Sequence, residues 1–146
     1  MELNAERVAA AVRAALDEDV GGGDVTSEAM VEASAQARGW FVARSPGVVA
    51  GLPVAREVFR QLSGEVAFSP IAAEGESVAA GARIAEVAGP ARALLAGERV
   101  ALNFVQRLSG IATLTRRCVA AVRGSGARIL DTRKTTPGLR FLEKYA

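Results

Sequence analysis

The 146-residue sequence has few of the features that mark secreted or membrane-spanning proteins. Its single cysteine, Cys118, cannot form an intramolecular disulfide, and its valine and alanine neighbours predict an ordinary buried thiol. No apolar run approaches the roughly 20 residues of a membrane-spanning helix. Acidic residues stand near the N-terminus, where a signal peptide would carry basic and then apolar residues. These absences predict a cytoplasmic protein in a reducing compartment, without a membrane partner.

Charge of one sign is not concentrated anywhere in the chain. The chain contains eighteen lysines and arginines and sixteen aspartates and glutamates, which gives a net charge of +2. The two signs are interspersed along the sequence. A nucleic-acid-binding face needs a basic patch or stripe, so we expect no nucleic-acid partner. Because 50% of the residues are hydrophobic, the chain can bury one sizeable core and should be globular.

Lysine is scarce, because arginine fills sixteen of the eighteen basic positions. Residues 74–87 are typical of a biotinyl or lipoyl carrier, but such a carrier needs an acceptor lysine and residues 1–133 contain none. The carrier class is therefore excluded. In so arginine-rich a chain, Lys134 beside Arg133 is less readily explained as interchangeable surface charge. A solvated basic loop remains the alternative interpretation of this pair.

The first ninety residues predict a mixture of helices and strands. Asn4 can cap a helix that ends before Gly21, since apolar residues recur at three- and four-residue spacing. The glycine-rich residues 18–26 predict a structural turn, with Asp24 or Thr26 capping the next element, because no strand precedes them and no P-loop lysine comes after them. The remaining predictions are a hairpin over residues 37–50 that turns at 45–47, a helix over 53–62, and short strands between 65 and 87.

Residues 98–123 predict a long helix, with a bend or break near Ser109 and Gly110. One face of this helix is apolar. The opposite face carries a polar stripe at steps of four, three, four and three residues, formed by Arg99, Asn103, Gln106, Gly110 and Thr113. Such a stripe is either a solvated surface or part of a functional site.

The end of the chain predicts a strand, a loop and a helix. Residues 127–130 are short and apolar, as a buried parallel strand would be. Thr136 and Pro137 suit the N-cap and first turn of the next helix. An anion in the intervening loop would meet the planar donor of Arg133 and the compact charge of Lys134. The two side chains together suit a small dianion.

Four motifs, taken in order, resemble a known enzyme family. They are EDVGGGDVT at 18–26, GVVAG at 47–51, GERVALNFVQRLSGIAT at 97–113 and DTRKTTPGLR at 131–140, with LEKYA at the end of the chain. Together they closely resemble quinolinate phosphoribosyltransferase, also called carboxylating nicotinate-nucleotide pyrophosphorylase. The resemblance covers nearly the whole chain, and its four ordered motifs make it specific.

The resemblance implies an α+β N-terminal sandwich domain at residues 1–109, which includes the linking helix. Residues 110–146 would then be the first elements of an α/β barrel that is incomplete in this chain. The implied reaction transfers phosphoribose from phosphoribosyl pyrophosphate to quinolinate with decarboxylation, giving nicotinate mononucleotide for NAD synthesis.

The resemblance also implies residue roles. Thr132, Arg133 and Lys134 would bind substrate, and Arg99 would reach into the site of a neighbouring subunit in a homodimer or larger homo-oligomer. Magnesium would accompany phosphoribosyl pyrophosphate, and the carboxylates facing it would lie beyond this chain. No catalytic residue and no metal ligand is assigned within the chain.

Family members continue into a loop that contains histidine and arginine, whereas this sequence has no histidine and ends at Ala146. We therefore expect the 146-residue chain to be inactive on its own. Two other interpretations remain open. One is a molybdenum-transport-linked family of the same architecture, whose corresponding loop is less like DTRKTT. The other is a non-catalytic binding or assembly module.

Overall fold

The computed structural model of the protein describes residues 2–146 and confirms the mixture of helices and strands. In chain order the elements are α1 Ala5–Asp19, α2 Val25–Met30, β1 Gln36–Val42, β2 Gly47–Val48, α3 Leu52–Leu62, β3 Ala67–Pro70, β4 Ser77–Val78, β5 Arg83–Pro90, α4 Ala91–Ala121 and α5 Arg140–Tyr145. The helix predicted over 53–62 and the strands predicted between 65 and 87 are confirmed. Among these described helices, none combines the length and apolar character needed to cross a membrane.

The strands form two small antiparallel sheets. One sheet has the order β1-β5-β3, and the other pairs β2 with β4. The predicted hairpin over 37–50 is therefore wrong. The backbone of Ala43 stays bonded to the β4–β5 turn through Ala82 and Gly81, at 2.9 and 2.7 Å. Since β1 continues along that turn, residues 45–47 carry the chain from one sheet to the other.

Helices α1, α3 and α4 pack around the sheets and enclose the core. Val12, Val58 and Leu108, one from each helix, are almost fully buried. Phe41, Phe59 and Phe68 bring their rings within 5.7–6.2 Å of one another and so join β1, α3 and β3. A cluster of this size can stabilise a globular unit, since burial of apolar side chains is the main favourable term in folding.

Helix α1 and the glycine-rich turn form as the sequence predicts. The Asn4 side chain accepts a hydrogen bond from the Arg7 amide at 2.9 Å, which satisfies one free donor at the helix start. After α1, Gly21 and Gly23 take positive φ angles of 51° and 130°, which favour glycine. Asp24 then caps α2 by accepting from the Ser27 amide at 3.1 Å. The segment is a structural turn between two capped helices.

Helix α4 runs without interruption from Ala91 to Ala121, so of the predicted bend or break near Ser109 and Gly110 the break is wrong. The hydroxyl of Ser109 accepts from the Ala50 amide at 3.0 Å. The hydroxyl of Thr113 accepts from the Val48 amide at 2.8 Å and donates to the Ser109 carbonyl at 2.6 Å. These side chains bind the backbone of β2 and of Ala50 just after it, which attaches the middle of α4 to this segment.

Gly97 and Gly110 on α4 form a matched pair for testing the packing. A Cβ at Gly97 would lie 2.8 Å from atoms of both Leu62 and Phe59, whereas a Cβ at Gly110 meets nothing within 4 Å. We expect Gly97→Ala to destabilise the fold by about 1–3 kcal/mol through overpacking. Gly110→Ala should stabilise it by about 0.5–1 kcal/mol, because alanine favours a helix. Urea unfolding of both variants measures this, and equal stabilities would contradict the packing described here.

Two predictions near the C-terminus are wrong. Residues 127–130 form no strand and Leu130 is 80% exposed, because no other strand of residues 2–146 lies beside them to pair. Cys118 is exposed, as are the other residues of α4 from 114 to 121. Both segments contain apolar residues, but these residues are buried only where another element packs against them.

Helix α5 begins at Arg140, three residues later than the predicted start at Pro137. The Leu139 amide donates to the Thr136 carbonyl at 3.1 Å, and Gly138 has a φ of 81°. Proline in the second position and a positive-φ glycine in the third are typical of a type II turn. Thr136 and Pro137 therefore begin a turn rather than cap the helix.

Candidate functional site

The candidate site is the loop of residues 131–136, which we call the basic loop. It lies between the end of α4 and the turn that leads into α5, and Thr132, Arg133 and Lys134 on it are all exposed. The hydroxyl of Thr132 accepts a hydrogen bond from the Lys134 amide at 3.0 Å, which tightens the loop around Arg133. Three of the four predicted site residues are consecutive in the chain, so they lie on this one loop.

The charges of the basic loop are not neutralised within it. Asp131 pairs with Lys144 of α5 at 2.7 Å, so its carboxylate is not the partner of either loop cation. Among residues 2–146, the side chains of Arg133 and Lys134 make no hydrogen bond and no ion pair. Two adjacent cations with free donors can bind a small anion with two acidic groups.

Helix α5 orders the backbone of the basic loop. Arg140 donates from Nε to the Thr135 hydroxyl at 3.1 Å and from Nη2 to the Arg133 carbonyl at 3.2 Å. Leu142, on the same helix, is 1% exposed and belongs to the main core cluster. The loop is therefore attached to a helix that is itself anchored in the core.

A second anchor of α5 involves Glu74, in the loop before β4. Its carboxylate accepts from the Gly51 and Leu52 amides at 2.9 and 2.8 Å, which satisfies donors at the start of α3. The same carboxylate accepts from the Tyr145 hydroxyl at 2.6 Å. Burial, with Glu74 as a neighbouring charge, raises the pKa of Tyr145, so the phenol keeps its proton and remains a donor.

Arg107 of α4 contacts the basic loop and was not among the predicted site residues. Its guanidinium donates to the Thr136 hydroxyl and to the Glu143 carboxylate, with an Nε–Oε1 distance of 3.0 Å to Glu143. The other carboxylate oxygen of Glu143 accepts from the Thr136 amide at 3.2 Å. No local motif signals these contacts, because Arg107 is 36 positions from Glu143 in the sequence.

Arg99, the fourth predicted site residue, lies apart from the basic loop. Its guanidinium is exposed and pairs with Asp19, at the end of α1, at 2.8 Å. No hydrogen bond or ion pair within residues 2–146 joins Arg99 to residues 132–134. The loop and Arg99 therefore do not form one contiguous site through direct contacts within this chain.

The other members of the polar stripe face different surroundings. Asn103, Gln106 and Gly110 are exposed, whereas Thr113 is half-buried against β2. Gln106, Gly110 and Thr113 line a cavity of about 720 Å³ between α4 and residues 41–49. The stripe is thus partly a solvated surface and partly the wall of this cavity.

The titration of Glu143 gives a testable prediction. Hydrogen bonds from Arg107 first, and then from Thr136, hold the pKa of Glu143 below its ordinary value of 4.5. Because the folded-state pKa is depressed, the stabilisation by ionised Glu143 is complete above the ordinary pKa and is lost as pH falls through the folded-state value. We expect a carboxyl-carbon NMR titration to give Glu143 a midpoint below 4.5. Arg107→Ala should raise that midpoint, and an unchanged midpoint would contradict the assigned cause.

Residues 2–146 contain no cluster of three or more cysteine, aspartate and glutamate side chains placed to hold a metal ion. The chemistry that this arrangement offers is the binding of an anion by hydrogen bonds and charge.

The fold and the basic loop define the class of protein as a mixed α/β protein with an anion-binding loop, where Arg133 and Lys134 have no ion-pair partner. The family model described as quinolinate phosphoribosyl transferase, N-terminal domain, matches residues 24–109, and the model for the C-terminal domain matches residues 111–146. The chain therefore belongs to the quinolinate phosphoribosyl transferase family, as the sequence motifs predict.

Individual relatives agree with the family assignment. A probable nicotinate-nucleotide pyrophosphorylase (carboxylating) of Synechocystis is 49% identical over 132 residues, which are 90% of this chain and 44% of the relative. A nicotinate-nucleotide pyrophosphorylase (carboxylating) of Mycobacterium leprae is 44% identical over 138 residues, with 92% and 49% covered. The chain spans less than half the length of these two curated relatives.

A solved structure extends the similarity to the fold. The crystal structure of NadC from Streptococcus pyogenes matches with a TM-score of 0.94 and 39% identity, over 99% of this chain and 52% of that one. The similarity thus extends from the sequence motifs to the whole described fold.

Proposed function

We propose that this chain contributes the N-terminal part of an enzyme that transfers phosphoribose from phosphoribosyl pyrophosphate to quinolinate. The observation that carries the proposal is the basic loop, where Arg133 and Lys134 lie side by side without anionic partners. Quinolinate has two carboxylates, so its charge matches that of two adjacent cations. The curated relatives are named for this activity, which favours it over the molybdenum-transport-linked family.

The residues fit the chemistry of the proposed reaction. The pyridine nitrogen would attack the anomeric carbon of the ribose while the bond from that carbon to pyrophosphate breaks. Once the nitrogen is quaternary, the adjacent carboxylate can leave as carbon dioxide, because the positive nitrogen stabilises the electron pair left on the ring carbon until a proton is added there. Arg133, Lys134 and Thr132 would orient quinolinate for this attack, which needs positioning and charge placement rather than a protein nucleophile.

The proposed enzyme also has a defined domain boundary, a shared subunit interface, a magnesium requirement and a cellular location. Residues 1–109 would form the N-terminal sandwich domain, and residues 110–146 would begin an α/β barrel, with α4 crossing the boundary. Arg99 would serve the site of the neighbouring subunit in a homodimer, and its exposed position is compatible with that role. Magnesium would arrive with phosphoribosyl pyrophosphate and neutralise pyrophosphate charge. The enzyme would work in the cytoplasm.

A hybrid protein tests the proposal. Residues 1–146 would replace the corresponding region of the Mycobacterium leprae relative, to which they are 44% identical over 138 residues. Expressed in a bacterium that lacks its own enzyme for this step, the hybrid should restore growth without added nicotinate. A soluble, folded hybrid that fails to restore growth, while the intact relative succeeds, would favour a non-catalytic binding or assembly module.

A further inference from the structure

The basic loop and α5 form a unit that is ordered by contacts of its own. Lys144 pairs with Asp131, and Arg140 binds the Arg133 carbonyl and the Thr135 hydroxyl. These contacts join residues within the same segment, so they fix the shape of the loop. They do not fix where the loop stands relative to the rest of the protein.

Several contacts attach this unit to the body, and one of them touches the loop itself. Leu142 is buried in the core, Tyr145 donates to Glu74, and the Arg7 guanidinium lies 4.3 Å from the Phe141 ring centroid. All three contacts act on α5. Arg107 differs, because it also donates to the hydroxyl of Thr136, which is two positions from Lys134.

The contacts around Arg107 close a ring. Arg107 binds the Thr136 hydroxyl and one oxygen of Glu143, and the other oxygen of Glu143 binds the Thr136 amide. Both the side chain and the backbone of Thr136 are thereby fixed to α4. The Glu143 side chain is 11% exposed and the Arg107 side chain 47%, so the carboxylate is shielded from solvent while the guanidinium is partly open to it.

We propose that Arg107 is a positioning residue that sets the basic loop at a fixed place against α4, acting through Thr136 and Glu143. Its planar guanidinium donates in two directions at once, which a lysine ammonium on a flexible stem reproduces only in part. The ligand that this arrangement serves rests on the proposed function, since quinolinate is the dianion assigned to Arg133 and Lys134. A loop held in place loses less conformational freedom when it binds an anion.

Hydrogen–deuterium exchange of the 146-residue chain tests the positioning without any ligand. In Arg107→Ala, the hydrogen-bonded amides of Lys134, Thr135, Thr136 and Leu139 should exchange about fivefold faster, as expected when the contacts that fix the loop are lost. Arg107→Lys should give an intermediate rate, and amides of β1 and β5 should not change. Arg60→Ala is the matched control, because Arg60 makes the same kind of pair with Glu57 on α3. Loop exchange equal to wild type in Arg107→Ala would overturn the proposal.

A second variant covers the case in which Arg107→Ala accelerates exchange throughout the chain. Glu143→Gln keeps the size of the side chain and an acceptor for the Thr136 amide, but it removes the charge that Arg107 binds. Loop exchange should again rise while the rest of the chain keeps wild-type rates. Unchanged loop exchange in this folded variant would show that the contacts of Arg107 with Glu143 and Thr136 do not position the loop.

Quinolinate titrations followed by amide NMR separate positioning from a purely structural role. Arg107→Ala should weaken quinolinate binding about fivefold, while its melting temperature falls no further than that of Arg60→Ala. Equal affinity despite a looser loop would overturn the positioning role. These titrations use the hybrid protein. If the hybrid with Arg107 intact shows no response to quinolinate, the proposed function fails, and the exchange result alone decides whether Arg107 fixes the loop.

Discussion

Replacing Arg133 by alanine in the hybrid protein is expected to weaken quinolinate binding by roughly 2–4 kcal/mol. The loss is large because Arg133 offers two parallel donors to one carboxylate, and such paired, charge-assisted hydrogen bonds are strong. Since the Arg133 side chain has no intramolecular partner, removing it leaves no buried charge behind in the free protein. The effect should therefore fall on substrate affinity rather than on folding.

Steady-state kinetics and calorimetry of the hybrid measure this effect. Arg133→Lys should lie between wild type and Arg133→Ala, because lysine keeps the charge but not the paired donors. Arg128→Ala is the matched control, since Arg128 is another exposed arginine in the segment between α4 and α5. A wild-type Michaelis constant and turnover number in Arg133→Ala would contradict the assignment of the basic loop to the quinolinate site.

Arg99 should act on the site of a neighbouring subunit, so a mixture of two inactive variants should regain activity. Hybrid subunits with Arg99→Ala and hybrid subunits with Arg133→Ala would each carry a defective site alone. In a mixed dimer, one of the two sites contains neither lesion. The separation of Arg99 from the loop within the chain is compatible with this arrangement, because Arg99 pairs with Asp19 and not with the loop.

The mixing experiment needs proof that subunits exchange. Differently tagged subunits should be unfolded and refolded together, and mixed dimers then isolated through both tags. We expect up to half of the wild-type activity per mixed dimer, since one of two sites is intact. Mixed dimers as inactive as the separate variants would show that Arg99 serves its own subunit.

Local signals in the sequence predicted most of the helices. The Asn4 cap, the glycine turn before α2 and the proline that begins α3 each depend on neighbouring residues, and all three appear in the structure. The hairpin was mispredicted because adjacent strands usually pair, whereas β1 and β2 each pair with a strand much later in the chain. Strand partners depend on the whole topology, which periodicity does not encode.

Errors near the C-terminus have the same origin. The apolar residues 127–130 and Cys118 fit the composition of buried segments, but burial is a property of neighbours. At the turn before α5, Thr136 and Pro137 matched a helix start, while Gly138 with its positive φ made a type II turn instead. A proline with glycine directly after it was the available signal for that turn.

Some residues of the candidate site could be predicted from the sequence, and others could not. Arg133 and Lys134 could be singled out from the sequence because they are adjacent and because lysine is rare in the chain. Arg107 could not be, since its partners Thr136 and Glu143 come from a segment far along the chain. Side chains that touch a ligand often form motifs, whereas those that hold the motif in place are distributed by the fold.

The most direct test of the proposed function is the product formed by the purified hybrid. Incubated with quinolinate labelled in its 2-carboxylate, phosphoribosyl pyrophosphate and magnesium, it should release labelled carbon dioxide and equal amounts of nicotinate mononucleotide. Omitting phosphoribosyl pyrophosphate should abolish both products, and residues 1–146 alone should form neither. A folded hybrid that binds phosphoribosyl pyrophosphate but leaves quinolinate unchanged, beside an active intact relative, would contradict the proposed function.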